Sequence, residues 1–398
     1  MAGKAAAGSQ SSLREANRAL VLATVQRWGG LTQVELAGTT GLSPATVSTI
    51  VRELLSAGLV DTAVTTRSGR RAQLVTMARR VGLAVGIQVG HRHLRIMLGD
   101  FSHEVIAEQS LPLPNEHRMD TTLDRAALLV LDLLERVGAS FDEVVGVGVA
   151  VPAPVDVGTG MISVRGILRG WDEVHLGQTL SKRLARPVFV DNDANLGALA
   201  ESTLGAARPY RDSVYVRASY GVGAGVVIDG RLHRGFAGTA GEIGHVQVDP
   251  AGPICGCGNR GCLDTVVGAA ALVEALRVTR GPLTLRDVIT LAIEGDQGCV
   301  RVVADAGAQI GAVVAGLAQA VNPEVVVVGG ELAETGELLL GPMREAVSRR
   351  VPLNQIAPLE VLPAALGSRA EVMGALLLAL QAADVAIRAD AEDEGALG

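Results

Sequence analysis

The sequence predicts an α/β protein preceded by a small winged helix-turn-helix, and three observations carry that expectation. Residues 31–60 read as helix, glycine turn, helix, and an arginine-tipped hairpin follows them directly. Further along, apolar runs of strand length, such as VVGVGVAVP at 144–152 and the VVVVGG within 322–333, alternate with segments of helical periodicity. The chain has 398 residues, and at roughly 150 residues per domain that length predicts two to three units.

Composition narrows the function classes. Hydrophobic residues make up 48%, enough for packed cores. No apolar run of transmembrane length and no signal-peptide pattern is read, because MAGKAAAGSQSS leads into no hydrophobic segment. A cytoplasmic protein with no membrane partner is expected. Three of the four cysteines cluster and Cys299 stands alone, which fits a reducing compartment. Lysine occurs only at Lys4 and Lys182, read as codon bias and not as function. The formal charge is −7, yet residues 1–80 hold ten Lys and Arg against four Asp and Glu, a net of +6 that leaves −13 on the rest. A basic arm on an acidic body points to nucleic acid as the partner of the first unit. An aromatic content of 2% argues against base stacking on single strands.

In chain order, residues 1–12 are small and polar and are expected to form a disordered tail. Over 13–28 the residues Leu13, Ala16, Leu20 and Ala23 recur at helical spacing, and the pattern ends at Gly29 and Gly30. Thr32 can cap the next helix, Gly41 marks a turn, and Ser43 with Pro44 forms an N-cap followed by proline at the first helical position. In the second helix Val47, Ile50, Val51 and Leu54 face a core. Thr46, Ser48, Thr49 and Arg52 then point outward as candidate base and phosphate contacts. Residues 61–77 alternate like a hairpin turning at Ser68 and Gly69, and Arg67, Arg70 and Arg71 crowd the turn as a wing able to reach phosphates or a minor groove. A small helical docking domain with solvated charges is the alternative, and the caps, outward hydroxyls and basic wing together favour DNA over it.

Alternation from residue 81 to 113 predicts two or three strands, followed by a helix over 122–137 and the buried strand 144–152. Residues 187–190 read as a strand that delivers Asp191, Asn192, Asp193, Ala194 and Asn195 at its end, where ligands of α/β sheets bind. Helix capping is the competing role for these short polar side chains. A helix over 194–204 and a glycine-rich hairpin follow, and a glycine hairpin alone is a weak phosphate signal. Beyond the cysteine cluster come helices over 269–277, 284–294 and 300–319, the buried strand within 322–333, and a long apolar helix over 369–387.

Residues 238–264 hold the chemistry. Cys255, Cys257 and Cys262 follow a C-x-C-x4-C spacing interleaved with glycines, and His245 lies ten residues before the first. Thiolates and an imidazole suit tetrahedral zinc, and four protein ligands leave no water position, so one structural zinc per chain is expected. Ordinary buried cysteines would not need the glycines between them. Glu242 precedes His245 by three residues and shares its face if the segment is helical.

The GEIGH and CGCGNRGCLD segments resemble the hallmark of the ROK family, which comprises bacterial sugar-responsive repressors and sugar kinases. The resemblance implies that His245, Cys255, Cys257 and Cys262 bind zinc and that Glu242 and His245 face a sugar. It implies a two-lobed, actin-like (ribonuclease-H-like) sugar-kinase fold behind the winged helix-turn-helix, which the repressor branch also carries, including the Arg14-x-x-Asn17 and Ser68-Gly69-Arg70-Arg71 segments. Domain bounds of 13–78 for the winged module, 79–190 with 369–388 for the first lobe and 191–368 for the second follow from it. Asp193 matches the base that takes a proton from the sugar in ROK kinases, Asn192 matches a sugar ligand, and residues 166–171 (GILRGW) match a loop over the substrate without the family's usual asparagine. Asp264 stands where the family has a sugar-contacting glutamate, one methylene shorter.

The family's first phosphate loop, D-x-G-G-T, is matched here by Gln88, Gly90, His91 and Arg92, so the aspartate, second glycine and threonine are absent. Gly221, Gly223 and Gly225 resemble the second phosphate segment. Kinase chemistry needs a carboxylate near the metal-nucleotide and backbone able to approach phosphates. The expectation is therefore a non-enzymatic regulator, acting as homodimer or homotetramer on double-stranded operator DNA and answering a small-molecule sugar effector. An active ATP-dependent sugar kinase with an accessory DNA module is the runner-up, and a sugar domain kept only for dimerisation is a third possibility.

Overall fold

The structure, a computed structural model, describes residues 10–383 apart from 68, 115–116, 157, 163–170, 172–174 and 352–357. Its amino-terminal module comprises α1 (Gln10–Trp28), β1 (Leu31–Thr32), α2 (Gln33–Thr40), α3 (Pro44–Ser56), β2 (Val60–Arg67) and β3 (Arg70–Met77). The local signals act as expected. Thr32 Oγ1 accepts from the Glu35 amide while Glu35 accepts from the Thr32 amide, a capping box that starts α2. Gly41 ends α2 in the left-handed region at φ 72°. Ser43 caps α3, whose buried residues are Val47, Ile50, Val51 and Leu54. Two findings differ from the sequence reading. Residues 10–12, expected in a disordered tail, are the start of α1. The two-residue β1 was not expected, and it adds a third strand by pairing Leu31 with Val75 of β3.

The body begins with β4 (Leu83–Val89), β5 (His93–Asp100), β6 (Val105–Pro112), α4 (Met119–Val137), β7 (Val144–Val151), α5 (Leu176–Leu184), β8 (Val188–Asn192) and α6 (Asp193–Thr203). It continues with β9 (Ser213–Ala218), β10 (Val222–Ile228), β11 (Arg231–His233), α7 (Asp264–Val267), α8 (Ala269–Arg280), α9 (Leu285–Ile293), α10 (Gln297–Val321), β12 (Val325–Gly329), α11 (Glu337–Arg350), β13 (Glu360–Pro363) and α12 (Ala370–Ala382). The strands form two five-stranded sheets, β6-β5-β4-β7-β8 and β11-β10-β9-β12-β13. Each sheet has the same plan: three antiparallel strands in reverse order, then two more strands added in parallel.

Two helices lie between the sheets. α12 packs on β4 and β7, α6 packs on β9 and β10, and the two helices pack on each other. Glycines make this stack thin. A Cβ on Gly148 of β7 would lie 1.8 Å from the Ala375 carbonyl oxygen, one on Gly374 of α12 would lie 1.9 Å from that of Leu196, and one on Gly225 of β10 would lie 2.5 Å from that of Ala194. Side chains at these positions would force the sheets apart, so the glycines set the spacing of the layers. The outer faces of the sheets carry α4 and α5 on one side and α8 to α11 on the other.

One helix departs from the expectation of no transmembrane-length run, because α10 is long and apolar enough by length and composition. Its Val303, Ala306, Ile310 and Val314 belong to the buried core of the second sheet, and Arg301 and Asp305 are exposed, so it reads as a core helix. The winged module is joined to the body by packing. Its buried Val21, Val25, Ile50 and Val75 are continuous with Phe101 and with Val372, Leu376 and Leu380 of α12. Gln26 of α1 also donates from Nε2 to the Ala383 carbonyl oxygen at 3.0 Å.

Candidate functional site

A cleft of about 580 Å³ opens where β8 passes into α6 and where the β9–β10 turn meets the cysteine loop. That is within the size range of small-molecule sites. Asn192, Asp193, Glu242, His245 and Asp264 all line it, so the fold brings the sequence-predicted sugar residues together. Each has a distinct local cause for its position.

Asn192 ends β8 and caps α6. Its Oδ1 accepts from the amides of Ala194 at 2.8 Å and Asn195 at 3.2 Å, and its Nδ2 donates to the Ala153 carbonyl oxygen at 3.1 Å. The capping role weighed in the sequence is therefore present. Asp193 is the first residue of α6, 6% exposed, and burial pushes its carboxyl above the ordinary range. Glu242 precedes a short 3-10 turn, Ile243–His245, which brings it beside His245. Burial, then Asp193 and Asp264, push Glu242 up to about 7. Asp264 Oδ1 accepts from the Val222 amide at 2.7 Å, which ties the first turn of α7 to the start of β10.

The four predicted metal ligands converge. Ligand atoms of His245, Cys255, Cys257 and Cys262 all lie within 4.8 Å of one another. Bond lengths of about 2.3 Å to sulfur and about 2.0–2.1 Å to nitrogen give tetrahedral edges of about 3.8 Å between sulfurs and about 3.6 Å between nitrogen and sulfur. Cys257 Sγ and Cys262 Sγ are 3.8 Å apart, and Cys255 Sγ is 3.6 Å from His245 Nδ1. The donor set thus fits one tetrahedral ion taken by Nδ1. The other nitrogen, Nε2, lies 3.8 Å from Glu242 Oε2, so the imidazole that could hold the ion also faces a cleft carboxylate. Burial, then the neighbouring thiols, push Cys262 up to about 12, and a cation would let three thiolates coexist.

Sequence reasoning missed the centre of the charge network. Arg217 on β9 is 5% exposed, with its Nε 3.0 Å from Glu371 Oε1 and 3.4 Å from Asp193 Oδ2 and its Nη2 3.7 Å from Glu331 Oε2. Glu371 also accepts from Tyr215 and from Gln88 Nε2. A lone arginine in the buried run VYVRA and a lone glutamate opening an apolar helix were the available signals. Burial raises Glu371 to about 7 although Arg217 pulls the other way. A carboxyl moved from 4.5 to about 7 holds its proton better in the fold, so its stabilisation is complete below 4.5 and is lost as pH rises to about 7. The thermal midpoint of the native protein is expected to fall more steeply across that window than that of Glu371→Gln, and parallel curves in the two proteins would refute the assignment.

The residues matched to the phosphate loops make contacts within the fold. His91 stacks against Tyr220 across the two sheets at a centroid distance of 5.2 Å, and burial followed by Arg217 brings the imidazole down to about 4. Gly225 serves the packing of α6, and Asp264 sits 3.2 Å over the Cβ position of Gly221. Of the GILRGW segment only Trp171 lies within the described residues, buried and edge-on to His117.

In the winged module Thr49 and Arg52 are exposed while Thr46 and Ser48 are half-buried. Thr46 shares a hydrogen bond with the Ser43 cap and Thr49 donates to the Ala45 carbonyl oxygen. Arg67, Arg70 and Arg71 are exposed at the wing, and Arg67 lies 3.9 Å from Glu35.

Comparison with known proteins agrees with both halves. Residues 84–382 match the ROK family and residues 15–61 match a winged helix-turn-helix DNA-binding family. The chain is 29% identical over 367 residues to the xylose repressor of Bacillus subtilis, covering 92% of this chain and 95% of that one. It resembles the crystal structure of a ROK family transcriptional regulator, a homologue of the Escherichia coli MLC protein, with TM-score 0.74, 26% identity and coverage of 95% and 99%. It also resembles a ROK family glucokinase from Streptomyces griseus in complex with glucose and AMPPNP, with TM-score 0.67 and 28% identity, over 75% of this chain and 100% of that one.

Proposed function

The chain belongs to the ROK family, and from that premise we propose a DNA-binding transcriptional repressor of carbohydrate metabolism genes whose effector is a sugar or sugar derivative. The observation that carries the reading is the continuous packing between a winged helix-turn-helix and a body whose cleft gathers Asn192, Asp193, Glu242, His245 and Asp264. Carboxylates accept hydrogen bonds from sugar hydroxyls, and a ligand that prefers one arrangement of the two sheets shifts the population of that arrangement. The units are assigned as 13–78, 79–190 with 369–388, and 191–368. One structural zinc, held by His245, Cys255, Cys257 and Cys262, would fix the loop that presents Glu242. Half-sites one helical turn apart call for paired winged modules, hence a homodimer or homotetramer.

Thr46, Ser48, Thr49 and Arg52 are assigned to base and phosphate contacts and Arg67, Arg70 and Arg71 to the wing's backbone contacts. Thr49→Ala is expected to alter sequence preference. Arg70→Ala with Arg71→Ala should weaken all DNA and flatten the salt dependence, by a slope of about 0.9 per lost phosphate contact. Protein lacking residues 1–80 that still retards operator DNA would refute this.

The glucokinase likeness and the buried Asp193 favour the kinase as second reading. Against it, Gln88 supplies no carboxylate, His91 and Tyr220 fill the approach with rings, and Arg217 already engages Asp193. A base contributes about 10²- to 10⁴-fold only to a hydroxyl aligned with the phosphoryl group. With ATP, magnesium and the cognate sugar, no sugar phosphate is expected. Turnover of about 1–100 per second, abolished by Asp193→Asn, would make the kinase reading correct.

A further inference from the structure

A second cavity, of about 540 Å³, lies between the winged module and the body. Its wall includes Arg27 and Trp28 of α1, Ser202 and Thr203 at the end of α6, Arg231 at the start of β11, and Arg234 just after that strand. Among the described residues no acidic side chain lines it. Arg27 is half-buried, and a guanidinium taken out of water ordinarily sits against a carboxylate. Here it donates to the Gly230 carbonyl oxygen and lies over the Trp28 ring, 5.4 Å from its centroid. Burial, then the like charge of Arg231, pull the Arg27 guanidinium below its ordinary range. The carboxylate of Asp229, in the β10–β11 turn, is taken by Arg211, and Arg234 is taken by Asp191 at 2.6 Å.

We propose that this cavity binds the phosphate group of a small metabolite between Arg27 and Arg231, and that the bound anion fastens the winged module to the body. Arg27 and the exposed Arg231 both line this space, guanidinium forks match the oxygens of a phosphate, and a bound dianion would turn the mutual repulsion of the two into attraction. Trp28, Leu199 and Leu232 line the remaining volume and would cover an organic substituent. The cavity also reaches the cleft through one helix. Arg234 holds Asp191 Oδ2, while Asp191 Oδ1 accepts from the Asn192 amide at 2.8 Å and from Asn195 Nδ2 at 3.0 Å. α6 therefore meets the cleft at its first turn and the anion cavity at its last. The regulatory consequence rests on the repressor reading; the binding does not.

The test follows thermal unfolding of the full chain in oxyanion-free buffer, with inorganic phosphate or glycerol 3-phosphate added at constant ionic strength set by sodium chloride. A saturable rise in the midpoint is expected, as for any ligand selective for the native state. Arg27→Gln and Arg231→Gln should flatten the rise. Without phosphate, Arg231→Gln should unfold at or above the wild-type temperature, since it removes a like charge. Saturation at lower glycerol 3-phosphate than inorganic phosphate assigns an ester, and equal saturation assigns the free anion. Hydrogen exchange in α1 should slow with phosphate in the wild type only. No saturable rise, the same rise in both variants, or unchanged exchange in α1 would overturn the proposal. The assay contains no DNA, so failure of the repressor reading leaves its outcome intact.

Discussion

Cys257→Ser is expected to take the metal content of the purified protein from one zinc per chain to none and to loosen residues 246–263. That segment is otherwise held by turn hydrogen bonds, such as the Gly261 amide to the Pro253 carbonyl oxygen and Arg260 Nη1 to that of Gly252, and by the buried Leu263. Its regular structure is limited to isolated bridges, Gln247 with Cys262 and Ile254 with Arg260, and Cys255, Cys257 and Cys262 are free thiols. Serine is nearly isosteric but a poor soft ligand, so three remaining donors lose the closed shell. Loss of a bound metal belongs to the mechanisms whose cost exceeds about 4 kcal/mol. The cleft should suffer with it, because the imidazole that completes the donor set is 3.8 Å from Glu242. Elemental analysis together with the thermal midpoint checks this. Wild-type protein free of zinc when purified without chelators, or a variant as stable as wild type, would contradict it.

Arg217→Met is expected to destabilise the protein by about 3–5 kcal/mol at neutral pH, the range for removing one partner from a buried charge cluster. The methylene stem is kept, but Asp193, Glu331 and Glu371 lose their shared cation. Burial already raises Asp193 and Glu371, and without the arginine all three hold protons more strongly. Carboxyls with raised folded pKa values stabilise at low pH, so the deficit relative to wild type should shrink as pH falls from 7 toward 4.5. Urea midpoints at the two ends of that window provide the check. A deficit below about 1 kcal/mol, the scale of exposed ion pairs, or one independent of pH, would show that the cluster is not held by this arginine.

What could be read from the sequence was what neighbouring residues decide. Thr32, Glu35, Gly41 and Ser43 specify helix ends through contacts within a few residues, and they act in the fold as their types and spacing require. The cysteine loop was legible for the same reason, with three cysteines inside eight residues. The three sulfur donors are brought together by a short glycine-rich loop, and the geometry adds which imidazole nitrogen faces them. Arg217 was not legible. Its meaning depends on Glu371, 154 residues away, and nothing near Arg217 in the chain announces that partner. The pairing of β1 with β3 escaped because two residues carry no periodicity. Asp191 looked like one more polar residue after a strand, yet it joins Arg234 to the start of α6 through contacts that only the folded chain creates.

The central claim is that the cleft and the winged module are coupled, and coupling has to be reciprocal. The direct measurement takes the sugar that most raises the thermal midpoint, then determines operator affinity with and without it and sugar affinity with and without operator. The two ratios are predicted to be equal and to differ from one, with Asp193→Ala losing the sugar and leaving operator affinity unresponsive. Sugar bound with identical affinity whether or not operator is present would contradict the claim.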